Sequence, residues 1–438
     1  MRFCTWPWNF APFIAHPWFA LSWLPAPDTG GDSGNVAITE EEQILKIESL
    51  TVRNFRTFKE VTLDDLPAYA VFIGANGTGK TTLFDLFGFL KDCLAGNVRT
   101  ALQRRGGFRE VVTRGQQNEA ILIEIKFRMP IAKVDRLVTY HLEIGMNGNR
   151  PIVEREILKY KRGRYGSPRH FLDFEHGKGF AITNEEDFDK EDEDLNRESQ
   201  ELDSPDILAI KGIGQFNRFK AANAFRKLLE NWHVSDFHID AARGDKDAGY
   251  AEHLSVSGDN LVLVAQFLYE EHRETFERVL ECMRQRVPGV AEIRAEQMIN
   301  GRIVLRFRDG SFKEPFIDRY VSDGTIKMFA YLLLLNDPAP HPLLCVEEPE
   351  NQLYPILMPE LAEEFLEYSD RGGQVFVSTH SPDFLNEVPL ESIYWLEKVN
   401  GVTQVHRAQE NQQLVDLIEE GDKPGYLWKQ RLFGETFF

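Results

Sequence analysis

Cysteine is scarce in this chain, and no two cysteines form a C-x-x-C pair. Four of them are scattered over 438 residues, at Cys4, Cys93, Cys282 and Cys345. This spacing supports neither a disulfide framework nor a zinc hook, both of which need cysteines at short, regular intervals. The cysteine content therefore predicts a protein of a reducing compartment, the cytoplasm.

Long uninterrupted hydrophobic runs are also missing. Residues 1–24 hold four of the seven tryptophans, but three prolines and a histidine interrupt this segment, whereas a membrane span needs about 20 consecutive apolar residues. A secretory signal is disfavoured because Arg2 is the only positive charge near the start. Residues 1–43 are predicted to be an extension and linker, translated from an upstream start codon. A membrane or partner anchor is the alternative.

Positive charge is in deficit, with 50 lysines and arginines against 69 acidic residues and a net charge of −19. This balance argues against a protein that only coats nucleic acid. A local basic patch could still bind duplex DNA through sequence-neutral backbone contacts, because charges more than about 8 Å apart are largely screened at physiological salt. The alternative is a set of solvated arginines and lysines paired with acids. Two basic clusters carry this ambiguity: Arg99, Arg104, Arg105, Arg109 and Arg114; and Lys159, Lys161, Arg162, Arg164 and Arg169.

One segment, Gly74–Thr81, fits the pattern G-x-x-x-x-G-K-[ST] at every position. The apolar run Ala68–Ile73 precedes it and a helical pattern follows, so the segment joins a strand to a helix as a phosphate-binding loop does. Lys80 is expected to neutralise the β- and γ-phosphates and Thr81 to ligate Mg²⁺. The predicted ATP-binding residues are Gly74, Ala75, Asn76, Gly77, Thr78, Gly79, Lys80, Thr81 and Thr82.

Two later apolar strands end in polar residues. Leu343–Glu350 ends in paired carboxylates, of which Glu347 can hold Mg²⁺ and Glu348 can deprotonate the attacking water. Val375–Ser381 places His380 at its end, where it can contact the γ-phosphate or that water. An acidic turn and a surface histidine are the alternatives, but parallel strands deliver their carboxyl ends to one sheet edge, where ligands bind.

The segment Tyr320–Lys327 lies just before an apolar helix. Ser322 and Gly324 would present a hydroxyl group and bare N–H groups at the helix start, which favours an anion. An ordinary helix cap by Ser322 is the plainer interpretation, and the two are compatible.

Periodicity predicts an α/β fold. Strands are expected at 45–52, 61–63, 68–73, 293–297 and 302–307, an antiparallel meander at 120–160, and helices at 217–232 and 261–285. The acidic segment Asn184–Asp206 is predicted to be a solvated loop. Helix and strand then alternate over 323–378, as in a parallel sheet with crossover helices. The predicted domains are the extension 1–43, an N-terminal ATPase lobe 44–165, an insertion 166–315 and a C-terminal ATPase lobe 316–438.

These motifs, in this order, resemble the ABC-type ATPase heads of the RecF/SMC/OLD group. Closest are small bacterial AAA-family predicted ATPases that begin with a segment like Val52–Phe58. The resemblance implies a P-loop NTPase fold of ABC-head type, with a parallel core sheet, an antiparallel β subdomain and a helical insertion. It also implies ATP and Mg²⁺ as cofactors and a homodimer formed on ATP binding.

The resemblance assigns roles residue by residue. The segment Ser322, Asp323, Gly324 and Thr325 is the signature, which contacts the γ-phosphate held by the opposite subunit. Lys80 and Glu348 are catalytic, and His380 is the switch histidine. Thr81 and Glu347 are metal ligands, Asn351 belongs to the D-loop, and Arg56 reaches the phosphates. The chain departs from the wider class in having Glu347 where aspartate is usual. The Q-loop glutamine is left open among Gln103, Gln116 and Gln117.

The predicted function is an ATP-hydrolysing dimeric switch coupled to duplex DNA or to a DNA-acting partner, in repair or antiphage defence. No heptad pattern persists as chromosome-tethering relatives require, and the segment after His380 is too short for a nuclease domain. The alternative is a slow nucleotide sensor that holds or regulates an effector protein and has no direct role on DNA.

Overall fold

The fold is built on three β-sheets, and a computed structural model describes residues 46–131, 134–160, 168–183 and 196–434. The strands, in chain order, are β1 (Ile47–Phe55), β2 (Phe58–Leu63), β3 (Tyr69–Gly74), β4 (Ile121–Ile131), β5 (Val134–Asn147), β6 (Arg150–Tyr160), β7 (Arg169–Glu175), β8 (Lys178–Ile182), β9 (Arg197–Glu201), β10 (His233–Ser235), β11 (Lys246–Asp247), β12 (Val290–Gln297), β13 (Arg302–Asp309), β14 (Phe316–Ile317), β15 (Leu344–Glu347), β16 (Val375–Ser378), β17 (Ile393–Val399) and β18 (Val402–Arg407).

The helices connect and cover these sheets. In chain order they are α1 (Lys80–Ala95), α2 (Val98–Arg104), α3 (Phe108–Val111), α4 (Ala209–Ile213), α5 (Lys220–Glu230), α6 (Ile239–Ala242), α7 (Leu261–Glu271), α8 (Arg273–Arg286), α9 (Asp323–Leu335), α10 (Met358–Asp370), α11 (Pro382–Leu385), α12 (Gln412–Glu419) and α13 (Pro424–Lys429). Within the described ranges, no helix has the length and apolar character needed to cross a bilayer.

The central sheet has six strands in the order β10-β15-β16-β3-β17-β18. Strands β10 through β17 run parallel to one another, and β18 pairs antiparallel with β17. A parallel sheet is covered on both faces, which explains why its strands are apolar along their whole length. Val71 and Val377 pack into a core with α7–α10, whereas Phe72 and Phe376 pack into a second core with α1 and the antiparallel strands.

The second sheet has eight antiparallel strands in the order β2-β1-β4-β5-β6-β7-β8-β9. A smaller sheet pairs β13 with β11, β12 and β14. The predicted α/β fold, with a parallel core sheet and an antiparallel β subdomain, is confirmed. The proposed boundary between residues 165 and 166 falls between β6 and β7 of one sheet, and the division into domains stays a prediction.

Two local predictions were wrong. The helical pattern at 261–285 forms two helices because His272 leaves helical geometry, at φ −130° and ψ 54°. The predicted loop Asn184–Asp206 contains β9, which pairs with β8 at the edge of the sheet. The exposed charges of β9 are typical of an edge strand, which they protect from pairing with other chains. Residues 1–43, the basic residues Lys161, Arg162 and Arg164, and residues 184–195 lie outside the described ranges.

Candidate nucleotide-binding site

Strand register brings the predicted motifs together at the carboxyl edge of the central sheet. Glu347 at the end of β15 is level with Ser378 at the end of β16, and Ser378 is level with Phe72 on β3. The P-loop follows β3 two residues after Phe72. Three motifs that are far apart in the sequence therefore share one sheet edge, as the parallel arrangement requires.

The P-loop backbone has the shape that its glycines allow. Gly77 and Gly79 have φ of 78° and 115°, in the left-handed region that favours glycine. A Cβ atom on Gly79 would lie 2.5 Å from the hydroxyl oxygen of Thr403. The loop therefore curls tightly into the start of α1, the geometry in which backbone N–H groups can surround a phosphate.

Lys80 folds back over this loop. Its Nζ atom donates hydrogen bonds to the carbonyl oxygens of Gly74, at 2.8 Å, and Ala75, at 3.3 Å. Burial lowers the pKa of Lys80, and the charges of Glu348 and Glu347 oppose that shift. The ammonium group thus lies at the loop with two neutral carbonyl partners, which charged phosphate oxygens can replace.

A chain of threonine hydroxyls holds the loop from behind. Thr403 of β18 donates to the carbonyl oxygen of Thr78 at 2.6 Å, and its Oγ1 lies 2.8 Å from that of Thr57. Thr57 in turn lies 3.2 Å from the hydroxyl oxygen of Thr82. Sequence reasoning missed Thr403 and Thr57 because a single threonine far from the P-loop carries no local signal.

Thr81 and Glu347 form the predicted metal pair. A hydrogen bond from Thr81 reaches the Glu347 carboxylate, and burial raises the pKa of that carboxyl group, as do the charges of Glu348 and Asp85. Hydroxyl and carboxylate oxygens are the ligands that Mg²⁺ prefers. A half-buried carboxylate beside two further acids also gains from a divalent cation. The donor set fits Mg²⁺.

Glu348 has an unusual backbone and a fixed side chain. Its φ of 43° lies in the left-handed region, a conformation that costs about 1 kcal/mol or more for a residue other than glycine. Its backbone N–H donates to the Ser378 carbonyl at 2.9 Å. One carboxylate oxygen lies 3.2 Å from Nε2 of His380, and the other accepts a hydrogen bond from Nδ2 of Asn351 at 3.1 Å.

His380 is held by its own backbone as well. Its N–H donates to Oε1 of Glu350 at 2.5 Å. Burial and the charge of Lys80 lower the pKa of His380, against the opposing charges of Glu348 and Glu350. The lowered pKa favours the neutral form of the imidazole, whose Nε2 lies beside the Glu348 carboxylate.

Lys327 is a second site cation, and sequence reasoning gave it no role. Its Nζ donates to the carbonyl oxygen of Asn351 at 2.6 Å. Burial lowers the pKa of Lys327 to about 8, although the charges of Glu350 and Glu348 oppose the shift. The available signal was its position on α9, two residues after the predicted signature.

The predicted signature residues lie at the start of α9. Ser322 caps α9, because its hydroxyl oxygen accepts a hydrogen bond from the Thr325 N–H at 3.2 Å, so the capping interpretation holds. Asp323 pairs with Arg243 at 2.5 Å, and a Cβ atom on Gly324 would lie 3.0 Å from the Gln352 carbonyl oxygen. None of residues 322–325 lines the cavity next to Thr81.

That cavity has a volume of about 1070 Å³ and runs from the metal pair along α1 to the end of β10. Arg56 lines it, and its guanidinium lies 2.8 Å from Asp85, which also pairs with Arg105. Asp85 thus holds Arg56 beside the site, and contact with phosphate stays a prediction. The candidate Q-loop residues Gln103, Gln116 and Gln117 do not line this cavity.

The first basic cluster is largely paired with acids. Arg99 pairs with Asp206, Arg104 and Arg105 with Asp92, and Arg114 with Glu110. These ion pairs match the structural alternative for that cluster. Of the second cluster, Lys159 and Arg169 are described.

A family described as "AAA domain, putative AbiEii toxin, Type IV TA system" matches residues 70–386. The chain is 26% identical over 141 residues to the DNA replication and repair protein RecF of Heliobacterium modesticaldum, a match that covers 30% of this chain and 37% of that protein. It is 34% identical over 87 residues to RecF of Paenarthrobacter aurescens, covering 18% of this chain and 22% of that protein. The chain therefore spans about a third and a fifth of the length of these relatives.

Solved SMC heads are similar at low identity. An SMC head bound to the C-winged helix domain of ScpA matches with a TM-score of 0.49 and 14% identity, over 82% of this chain and 97% of that one. The Thermotoga maritima SMC head matches with a TM-score of 0.41 and 13% identity, over 83% and 98%. A head with an extended coiled coil, bound to a ScpA domain from Pyrococcus furiosus, matches with a TM-score of 0.46 and 15% identity, over 86% and 100%.

Proposed function

Because the chain belongs to this family of AAA-domain P-loop NTPases, we propose that it is an ATPase switch, which closes as a homodimer on ATP and reopens after hydrolysis. The observation that carries the hydrolytic part is the position of Glu348 at the sheet edge that bears the P-loop. Its carboxylate is oriented from one side by His380 and from the other by Asn351. A base held in this way is suited to accept a proton from water.

Each residue of the site has a separate role in the proposed hydrolysis. Lys80 exchanges the Gly74 and Ala75 carbonyl oxygens for phosphate oxygens and so balances their charge. Mg²⁺, held by Thr81 and Glu347, would neutralise charge on the phosphates. Glu348 takes the proton of the attacking water, and neutral His380 contacts that water or the γ-phosphate. Lys327 fixes the Asn351 backbone and thereby the amide that orients the base.

Two features support a composite site between subunits. Residues 322–325 do not line the cavity next to Thr81, and the resemblance to ABC-type heads assigns this segment to the γ-phosphate held by a second chain. Large apolar side chains beside it and after the D-loop residue Asn351 are exposed: Tyr320 at 76%, Tyr354 at 70% and Ile356 at 68%. ATP that touches both subunits favours the closed state by its differential affinity for it.

The test combines two variants. Glu348→Gln should bind ATP, lose turnover by about 100-fold or more, and accumulate as a dimer in light scattering with ATP. Ser322→Arg should bind ATP normally yet remain monomeric. Unchanged turnover in Glu348→Gln would refute the general-base role, and a wild-type ATP-dependent dimer in Ser322→Arg would refute the composite site.

What the switch regulates is a separate question. RecF relatives act in DNA replication and repair by name, so coupling to duplex DNA is one candidate. The ion pairs of Arg99, Arg104, Arg105 and Arg114 favour a second candidate, a nucleotide sensor that regulates an effector protein. Steady-state hydrolysis with and without linear duplex DNA separates them, with Glu348→Gln as the blank. Stimulation that high salt abolishes supports DNA coupling; indifference to DNA supports a protein partner.

A further inference from the structure

A cluster of metal-ligand side chains lies at the amino edge of the central sheet, opposite the P-loop. It comprises His253, Asp337 and His341. Each offers one ligand atom, and these atoms all lie within 4.8 Å of one another. The residues come from two segments, the loop between α9 and β15 and the segment before α7, and none of them serves the nucleotide site.

His341 is fixed in the form that binds a metal. Its Nδ1 donates a hydrogen bond to the carbonyl oxygen of Asn231 at 3.1 Å, and its own carbonyl oxygen accepts one from the Tyr368 hydroxyl at 3.0 Å. The nitrogen left with a lone pair is therefore Nε2, which is buried and has no hydrogen-bond partner among the described residues. A histidine whose other ring nitrogen donates to a backbone carbonyl is the usual arrangement of a metal ligand.

Asp337 and His253 are similarly ordered. Oδ2 of Asp337 lies 2.7 Å from Nδ1 of His253, and Oδ1 accepts a hydrogen bond from the Ala339 N–H at 2.9 Å. The Asp337 side chain is only 4% exposed, and buried carboxylates need charged partners. The amide of Asn260 bonds to the His253 carbonyl and to the Ser255 N–H, so the backbone on which His253 sits is also fixed.

A third imidazole, that of His233, packs against one side of the cluster. The His233 ring packs 4.9 Å from that of His341 and is 3% exposed, and its Nε2 also lacks a hydrogen-bond partner. It shields the cluster from water on that side. Buried polar nitrogens without partners are rare in folded proteins, and a missing ion is one of the ordinary explanations.

We propose that His253, Asp337 and His341 bind one Zn²⁺ ion, with water as the fourth ligand. Two imidazoles and one carboxylate are a donor set found in zinc proteins, whereas Mg²⁺ and Ca²⁺ take oxygen ligands. On binding, the ion replaces the hydrogen bond between His253 and Asp337, and any proton displaced from His253 goes to solvent.

The proposed metal site is joined to the other edge of the sheet by a backbone segment. Residues 253–258, here called the strap, run beside β10 from the metal cluster to the other edge of the sheet. There Asp236 and His238 donate backbone hydrogen bonds to Val256 and Ser257 at 3.1 and 3.0 Å. Val256 lines the cavity next to Thr81. A bound ion at His253 therefore fixes a segment that forms part of the wall of this cavity.

The experiment is zinc titration of the metal-stripped full-length chain by calorimetry, in excess Mg²⁺ to fill the Thr81–Glu347 pair. We expect one Zn²⁺ per chain, a rise in Tm of about 2–4 °C at saturating Zn²⁺, and the visible spectrum of four-coordinate Co²⁺ when cobalt is the probe. His341→Ala and the isosteric Asp337→Asn should each weaken Zn²⁺ binding by about 100-fold or more.

His170→Ala is the matched control, because His170 also lies 2.8 Å from an aspartate, Asp173, but in no such group of three. It should bind Zn²⁺ as the wild type does. Circular dichroism checks folding, and if His341→Ala does not fold, Asp337→Asn decides. A wild-type chain that takes up no Zn²⁺, or an Asp337→Asn chain that binds it with unchanged affinity, overturns the proposal.

Discussion

The two edges of the central sheet carry different kinds of polar side chains. At the carboxyl edge, Lys80, Glu347 and Glu348 are charged groups held close together, and Glu348 has a left-handed backbone. At the amino edge, the polar groups near the strand starts include the Gln374 amide as well as the His253–Asp337–His341 cluster. Gln374 there is 1% exposed, and its side chain bonds to both the N–H and the carbonyl of Ile47 and to the Pro67 carbonyl.

The comparison teaches that the predicted catalytic groups and the Gln374 amide, which joins the two large sheets, lie at opposite edges of one sheet. Polar groups at the carboxyl edge keep capacity for a ligand, at some cost to stability. Gln374 at the amino edge satisfies its neighbours and links β1 of the antiparallel sheet to the start of β16. Substitution of Lys80 should therefore change ATP binding with little effect on unfolding, and substitution of Gln374 should do the reverse.

The largest effect is expected for Lys80→Ala. Loss of a buried cation from the P-loop should weaken ATP binding by about 1000-fold or more while leaving the urea midpoint nearly unchanged. Lys211→Ala is the matched control, since Lys211 also donates to two backbone carbonyls, those of Ala95 and Gly96, at the other end of α1. Calorimetric titration with ATP measures the difference, and normal affinity in Lys80→Ala would refute the P-loop assignment.

Gln374→Ala tests the structural role of the amino edge. Removing the amide leaves buried backbone groups of Ile47 and Pro67 without partners, so the free energy of unfolding should fall by about 3 kcal/mol. The ATP affinity of the chain that remains folded should be unchanged. Gln285→Ala, on an exposed helix face, should alter stability by less than about 0.5 kcal/mol. Equal urea midpoints for the two variants would contradict the role given to Gln374.

Thr403→Val tests whether a buried structural residue can also affect ATP binding. Thr403 is such a residue, because it contacts the P-loop. Valine keeps the shape but leaves the Thr78 carbonyl without its donor, so ATP affinity should fall about tenfold, or ~1.4 kcal/mol. Thr62→Val is the control, since Thr62 faces another threonine, Thr51, on an exposed surface. Unaltered ATP affinity in Thr403→Val would show that the threonine chain does not support the loop.

The smallest effect, when expressed per unit of pH, concerns the pH dependence of stability. The pKa of Lys327 is about 8 in the folded chain against an ordinary 10.5, so between these values the unfolded chain binds more protons. The free energy of unfolding should therefore rise with pH in the wild type relative to Lys327→Met, by about 1 kcal/mol per unit from pH 8 to 10. Urea unfolding of both proteins across that range measures it, and a constant difference would contradict the buried cation.

Local patterns predicted the parts of the fold that depend on neighbours in sequence. The run ending at Ile73 and the glycines of Gly74–Thr81 indicate a strand, a loop and a helix without any distant contact. The helix at 323–335 was also predicted at its observed bounds, because Ser322 is a strong capping residue and an apolar run follows. Assembly of the candidate site follows from strand direction alone, since parallel strands end at one edge.

Contacts between distant segments could not be predicted in this way. Strand β10 has three residues, too few for a periodicity, and it exists because β15 pairs with it more than 100 residues later. The Gln374 amide bonds to Ile47 across 327 positions, and an isolated glutamine carries no sign of that partner. The break at His272 has no proline or glycine to mark it.

The hydrogen bond from Thr403 to Thr78 has a consequence for protein synthesis. The two residues are 325 positions apart, and ribosomes add about 5–20 residues per second. A growing chain therefore carries its P-loop for about 16–65 s before the threonine that braces it has been made. During that interval the nascent polypeptide contains the whole Gly74–Thr81 motif without the hydrogen bond from Thr403. Full nucleotide affinity is therefore reached only after β18 has been synthesised.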